Sequence, residues 1–214
     1  MPKTCPPALL LVLIIAASGG CNGSKGDLTP PEATTATPAT APPTERVVGP
    51  LSDQDAAALA MMNDGLRAYL QIHADVERGL PALPDDATPA QIDTNQRAFE
   101  RAIRERRASA KAGEIFTAEA RPVILRLLAT VFSGPDGRLL LAAVLDEKPD
   151  ASFKMQVNAR YPDNVPVSTV PLQVLQTLPR LTEDLEYRFI GRAIIILDTH
   201  AHTIVDFIEN ALPA

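Results

Sequence analysis

Between Thr29 and Pro50 the chain carries six Pro, six Thr and four Ala in 22 residues, with almost no large apolar side chain. Such a stretch cannot bury enough surface to offset the entropy of ordering it, so it reads as an extended, mobile tether. Whatever folds must lie after it, in residues 51–214. That span suffices for one domain with a real core and is short for two.

The segment before the tether reads as an export signal over residues 1–20. Lys3 supplies a short positive region, and Ala8 to Ala17 form an apolar run of ten residues. A bilayer-crossing helix needs about 20 apolar residues, so this run is too short to serve as an anchor itself. It ends in Ser18-Gly19-Gly20-Cys21, which resembles a bacterial lipobox. The resemblance implies that Cys21 becomes the first mature residue, carries acyl chains and ties residues 21–50 to a membrane as a leash. Asn22 in place of Asp after the Cys favours the outer over the inner membrane, with the domain in the periplasm or at the cell surface. Cys5 falls within the signal, so Cys21 is the only mature thiol and no internal disulfide can form. Thiol-redox chemistry, Cys nucleophiles and Cys-rich metal sites are thereby excluded.

Residues 1–50 hold three basic and three acidic side chains, so the net charge of −6 belongs entirely to residues 51–214. An acidic domain with 4% aromatics and no Trp lacks both the phosphate-neutralising face and the stacking platforms of a nucleic-acid binder.

Helices dominate the first half of the domain. Ser52 with Asp53 and Asp55 forms a start signal. Leu59, Met62, Leu66, Tyr69, His73, Val76 and Leu80 then recur at alternating spacings of three and four, one apolar seam on a helix of about seven turns. Thr88-Pro89-Ala90-Gln91 is a capping box that opens a second helix carrying Ile92, Phe99 and Ile103 and ending near Gly113. The Pro-rich turn between the two predicts an antiparallel helical hairpin. A third helix is expected from Thr117 through Val131. A fourth, from about Pro135 through Leu145, has no polar face and is expected to be buried.

After Pro149 the period changes. Phe153, Met155 and Val157 alternate with polar residues, which predicts a strand. A Pro-rich loop and a short helix opened by Ser168 or Thr169 follow. Three strands are expected last: Leu185 to Ile190, Ala193 to Asp198 and Thr203 to Ile208, joined by Gly191-Arg192 and by Thr199 to His202. Helices first and an antiparallel meander last make an α+β domain, with the helical hairpin and further helices packed on the C-terminal sheet.

The segment Asp198-Thr199-His200-Ala201-His202 resembles the first metal-binding stretch of the amidohydrolase superfamily, which implies His200 and His202 as metal ligands. In that family the motif opens a (β/α)₈ barrel. Here only 12 residues follow His202 and the chain holds three His in all, so the likeness is a coincidence of a short string. A smaller metal reading survives it. On an extended segment Asp198, His200 and His202 share parity, and with Asp206 on the next strand they could bind Zn²⁺ or Cu²⁺. Against it stands a plain polar hairpin turn. His73, on the apolar seam, is either a hydrogen-bonded core histidine or a partner for this hairpin across the core.

Residues 97–111 carry six positive charges against Glu100 and Glu105. Arg97, Arg101, Arg104 and Lys111 fall near one helical face and could meet anionic headgroups or a partner's carboxylates. The alternative is a solvated helix laced by i,i+4 pairs such as Glu100 to Arg104. Phosphate-loop, dinucleotide, serine-hydrolase-elbow and zinc-protease signatures are all missing.

Taken together, Ala87-Thr88-Pro89, Gly113-Glu114-Ile115-Phe116-Thr117, Tyr161-Pro162-Asp163, Leu185 to Arg192 and Ile204 to Ile208 resemble segments of a family of exported bacterial proteins with no known activity. The expected function is therefore a lipid-anchored envelope protein whose domain binds a protein partner without catalysis or cofactor. The alternative is a metal-binding protein or metal-dependent enzyme built on His200 and His202.

Overall fold

The computed structural model describes residues 51–146, 153–162 and 170–213. The signal, Cys21, the tether and Ser168 and Thr169 lie outside the described residues. The domain is α+β: five helices, α1 (Asp53–Gly79), α2 (Pro89–Arg106), α3 (Ala120–Phe132), α4 (Gly137–Asp146) and α5 (Leu172–Thr177), precede a three-stranded antiparallel meander. Its strands are β1 (Leu185–Ile190), β2 (Ala193–Asp198) and β3 (Thr203–Ile208), in that spatial order.

Local sequence explains the helix starts. Ser52 and Asp55 exchange side-chain-to-backbone hydrogen bonds at the head of α1, and Thr88 and Gln91 do the same for α2 with Pro89 in its first turn. Each box satisfies two backbone donors that the first turn would otherwise leave open. Along α1 the buried residues are Ala58, Met62, Leu66, Tyr69, His73 and Val76, the stripe expected from the spacing. The extended Leu80 and then Pro81 stop the helix.

Three expectations are corrected. The second helix ends at Arg106, well short of Gly113, because Arg107 turns inward and is buried. The alternation in Phe153 to Val157 shows in burial but forms no strand; residues 158–161 run beside β3 instead. The α4 helix is not buried all round: only Gly137 and Val144 are, while Leu139 is 74% exposed. Composition alone overstates its burial, since one face of a ten-residue helix suffices to meet α3. The turn between them is tight, and a Cβ on Gly137 would sit 2.0 Å from the Phe132 carbonyl oxygen. No single described helix is long and apolar enough to cross a membrane; α3 and α4 pass such a test only as a pair, bent by 110°.

β2 is buried along its whole length, and its alternation assigns two faces. Ile194 and Ile196 enter the main core with the helices, whereas Ile195 and Leu197 join a smaller cluster with Tyr161, Ile190 and Ile204. Asp198 continues the parity of Ile194 and Ile196, which turns its carboxylate toward α1. A β-bulge between Ile196 and Leu197 skips Val205 in the pairing with β3, which puts both Val205 and Asp206 on the helix side.

The outer edge of β3 is covered. Asn158 N–H donates to the Ile204 carbonyl at 2.8 Å, Ile204 N–H to Ala159 at 2.9 Å and Tyr161 N–H to His202 at 2.9 Å. On the helix side, the loop from Gly113 to Phe116 crosses α1 at Gly65, where a Cβ would lie 2.7 Å from the Glu114 carbonyl oxygen. That loop is held by Asp206, whose carboxylate accepts from the backbone N–H groups of Gly113, Ile115 and Phe116 at 2.8–2.9 Å.

Candidate metal centre

The strand parity of Asp198 and the seam position of His73 meet in the core. Asp198 is fully buried and accepts three hydrogen bonds: from Tyr69 Oη at 2.6 Å, from His73 Nδ1 at 2.7 Å and from the Ala201 backbone N–H at 2.6 Å. An ionised carboxylate only accepts, so Nδ1 of His73 carries the proton. In the neutral imidazole the lone pair is therefore on Nε2. That atom is buried and has no hydrogen-bond partner among the described residues.

Burial disfavours the charged form of His73, but the hydrogen bond to Asp198 and the charges of Asp198, Asp184 and Glu77 outweigh it and raise the pKa above its usual value. Tyr69 is pushed well above the ordinary phenol range by burial and by the Asp198 charge and hydrogen bond, so it stays a donor. The Arg107 guanidinium lies 4.9 Å from the centre of the Tyr69 ring. It is anchored there by Asn158 Oδ1 at 2.8 Å, the Val205 carbonyl at 3.2 Å and Glu114 at 3.1 Å.

Two further donors stand near His73. Glu77 follows His73 by one helical turn and so projects from the same face of α1. His200, in the β2–β3 turn, brings its Nδ1 to 3.7 Å from Glu77 Oε1. One ligand atom each from His73, Glu77 and His200 lie within 4.8 Å of one another. Phe99 of α2 packs on both imidazoles, with ring centroids 4.8 Å from His73 and 4.3 Å from His200. A groove of about 460 Å³, walled by Leu80, Pro81, Leu83 and Phe99, opens onto Glu77 and His200.

Two imidazole nitrogens and one carboxylate are a donor set for Zn²⁺, and the Asp198–His73 pair is the carboxylate–histidine arrangement that commonly orients a zinc ligand. Bonds of about 2.0–2.1 Å place tetrahedral ligand atoms about 3.4 Å apart, so a contraction of up to about 1.4 Å brings the three donors to one ion.

The four residues expected to converge do not. The parity argument needs an extended chain, but residues 199–202 form a turn in which His202 takes φ +55°. His202 faces away, edge-on to Tyr161 at 5.7 Å. Asp206 is spent on the Gly113–Phe116 loop, and Asp198 acts behind His73. Of the four, His200 alone joins the cluster of close ligand atoms. Glu77 was legible only as the fourth residue after His73; Tyr69 and Phe99 read as core residues.

The cationic face is also rearranged. Because α2 ends at Arg106, Lys111 sits on the following loop and shares no helical face with Arg97, Arg101 and Arg104. Arg97 bonds Asp93 at 2.9 Å and Arg104 pairs with Glu100. Both pairs are i,i+4; Arg97–Asp93 is exposed, whereas Glu100 is buried and also bonds Arg160 at 3.3 Å.

In comparisons with family models, curated proteins and solved structures, nothing matches the chain.

Proposed function

We propose that this protein is a metal-binding module on a membrane leash. The domain takes up a divalent transition-metal ion, Zn²⁺ foremost, through His73, Glu77 and His200. Acylated Cys21 holds it at a bacterial membrane, the outer one favoured, with residues 21–50 as spacer. The metal reading moves the expected His200–His202 pair to His73 and His200. It keeps the non-enzymatic character of the first expectation, with an ion as the ligand bound.

One observation carries it. His73 Nε2 is a buried acceptor with no hydrogen-bond partner among the described residues, on a ring held in place by a hydrogen bond at the opposite nitrogen and carrying a ligand atom within 4.8 Å of one each from Glu77 and His200. A buried polar atom left without a partner costs about 1–3 kcal/mol, and coordination removes that cost.

The test is metal stoichiometry on the full chain extracted in detergent, after chelation, Zn²⁺ re-addition and dialysis. One Zn²⁺ per chain is expected, lost in His73→Ala and in His200→Ala and retained in His202→Ala. Substoichiometric zinc in the unaltered chain refutes the metal reading. For the leash, Cys21→Ser is expected to move the protein from the membrane to the soluble fraction; an unchanged distribution refutes it.

A further inference from the structure

A three-donor site leaves a tetrahedral shell one ligand short. Asp184, just before β1, has Oδ1 3.9 Å from His73 Nε2. We propose that Asp184 is the fourth ligand, so that the site is a closed His₂–carboxylate₂ cage that retains an ion rather than exposing it for catalysis. This rests on the metal reading above.

Its main chain is fixed relative to the other ligands. The Asp184 carbonyl accepts from Thr199 N–H at 3.0 Å and from Thr199 Oγ1 at 3.2 Å, and Thr199 directly precedes His200. Two ligands thus hang from one hydrogen-bonded corner of the sheet, and two from one turn of α1. The side chains that must move are free to do so: Asp184 is 44% and Glu77 57% exposed, whereas His73 is 3% exposed and locked. The 3.9 Å separation from His73 exceeds a tetrahedral ligand–ligand edge by about 0.5 Å, while Asp184 lies outside the group of ligand atoms within 4.8 Å of one another, so its exposed carboxylate and that of Glu77 swing together as the ion binds.

Charge points the same way. Two carboxylates and two neutral imidazoles balance a divalent ion within the four-ligand shell. The N₂O₂ set has no soft sulfur, which favours Zn²⁺ and Co²⁺ over Cu⁺.

Co²⁺ serves as the spectroscopic probe, in detergent-extracted full chain. The unaltered protein should show the intense visible absorption of four-coordinate Co²⁺. Asp184→Ala and Asp184→Asn should lose that intensity as water enters the shell, and Zn²⁺ affinity should fall at least about tenfold. Asp75→Asn, which removes an acid from the same end of α1 that pairs with Arg78, should change neither. Melting of the metal-free variants shows whether each is folded, and the Asn variant preserves shape if the Ala variant is not. If both Asp184 variants keep the spectrum and bind Zn²⁺ within about twofold of the unaltered chain, Asp184 is not a ligand and the three-donor site stands alone. If the unaltered chain binds neither ion, the site and its fourth ligand fall together.

Discussion

Replacing Asp198 by Asn isolates what one buried carboxylate contributes to this domain. The two side chains have nearly the same shape, so no cavity forms and the change is in hydrogen bonding. Asp198 accepts from Tyr69 and His73 through Oδ2 and from the Ala201 N–H through Oδ1. The amide retains one acceptor. With its oxygen toward Tyr69 and His73, its NH₂ faces the Ala201 N–H, donor against donor, and a buried unsatisfied donor costs about 1–3 kcal/mol. The two surviving bonds lose their charge assistance, about 1 kcal/mol each. Relief from burying a charge offsets part of this, leaving a net loss of about 2–4 kcal/mol, around the low end for breaking a buried ionic network. Against a total stability of about 5–15 kcal/mol the variant still folds. Urea unfolding of metal-free protein, followed by far-ultraviolet circular dichroism, should show the midpoint falling by about 1–2 M with an unchanged slope near 2 kcal/mol/M. A loss below about 1 kcal/mol would refute the assignment of Asp198 as the acceptor holding α1 to the sheet.

The raised pKa of His73 sets a pH dependence. A group whose pKa is higher folded than unfolded stabilises fully below the unfolded value, about 6.5, and that contribution is lost as pH rises through the folded value. Metal-free protein should therefore lose stability as pH climbs above about 6.5, with a flatter profile in Asp198→Asn; parallel urea-midpoint profiles of the two proteins would contradict this. In the turn between α3 and α4, Gly137→Ala must push a methyl against the Phe132 carbonyl, costing at least about 1–3 kcal/mol. Leu139→Ser two residues later should stay within about 0.5 kcal/mol in the same unfolding assay, because Leu139 is largely exposed.

Periodicity made the long helix and the meander legible, since each depends on its own segment. The α1 seam, both capping boxes and all three strands can be written down from spacing and turn residues alone. The misread elements depend on neighbours. Phe153 to Val157 alternate because they lie across one face of the sheet, yet their backbone finds no ladder, as residues 158–161 already occupy the β3 edge. The α2 helix stops early because Arg107 finds buried partners in Asn158 and Val205, about 50 and 100 residues away. The site shows the same division. Strand parity predicts that Asp198 faces the core, but that Tyr69 and His73 wait there is a property of the packing. His202 was lost to the metal reading by a single left-handed residue, a conformation that non-glycine residues adopt too rarely for local sequence to announce it.

The bond from His73 to Asp198 spans 125 residues of chain. At roughly 5–20 residues per second, Asp198 leaves the ribosome some 6–25 s after His73. Until then α1 has an apolar stripe with no sheet beneath it and a histidine with no acceptor. The helices made first therefore wait without their main packing surface until β2 emerges. Closure waits for the β2–β3 hairpin, which brings Asp198 to His73 and His200 to Glu77 in one step.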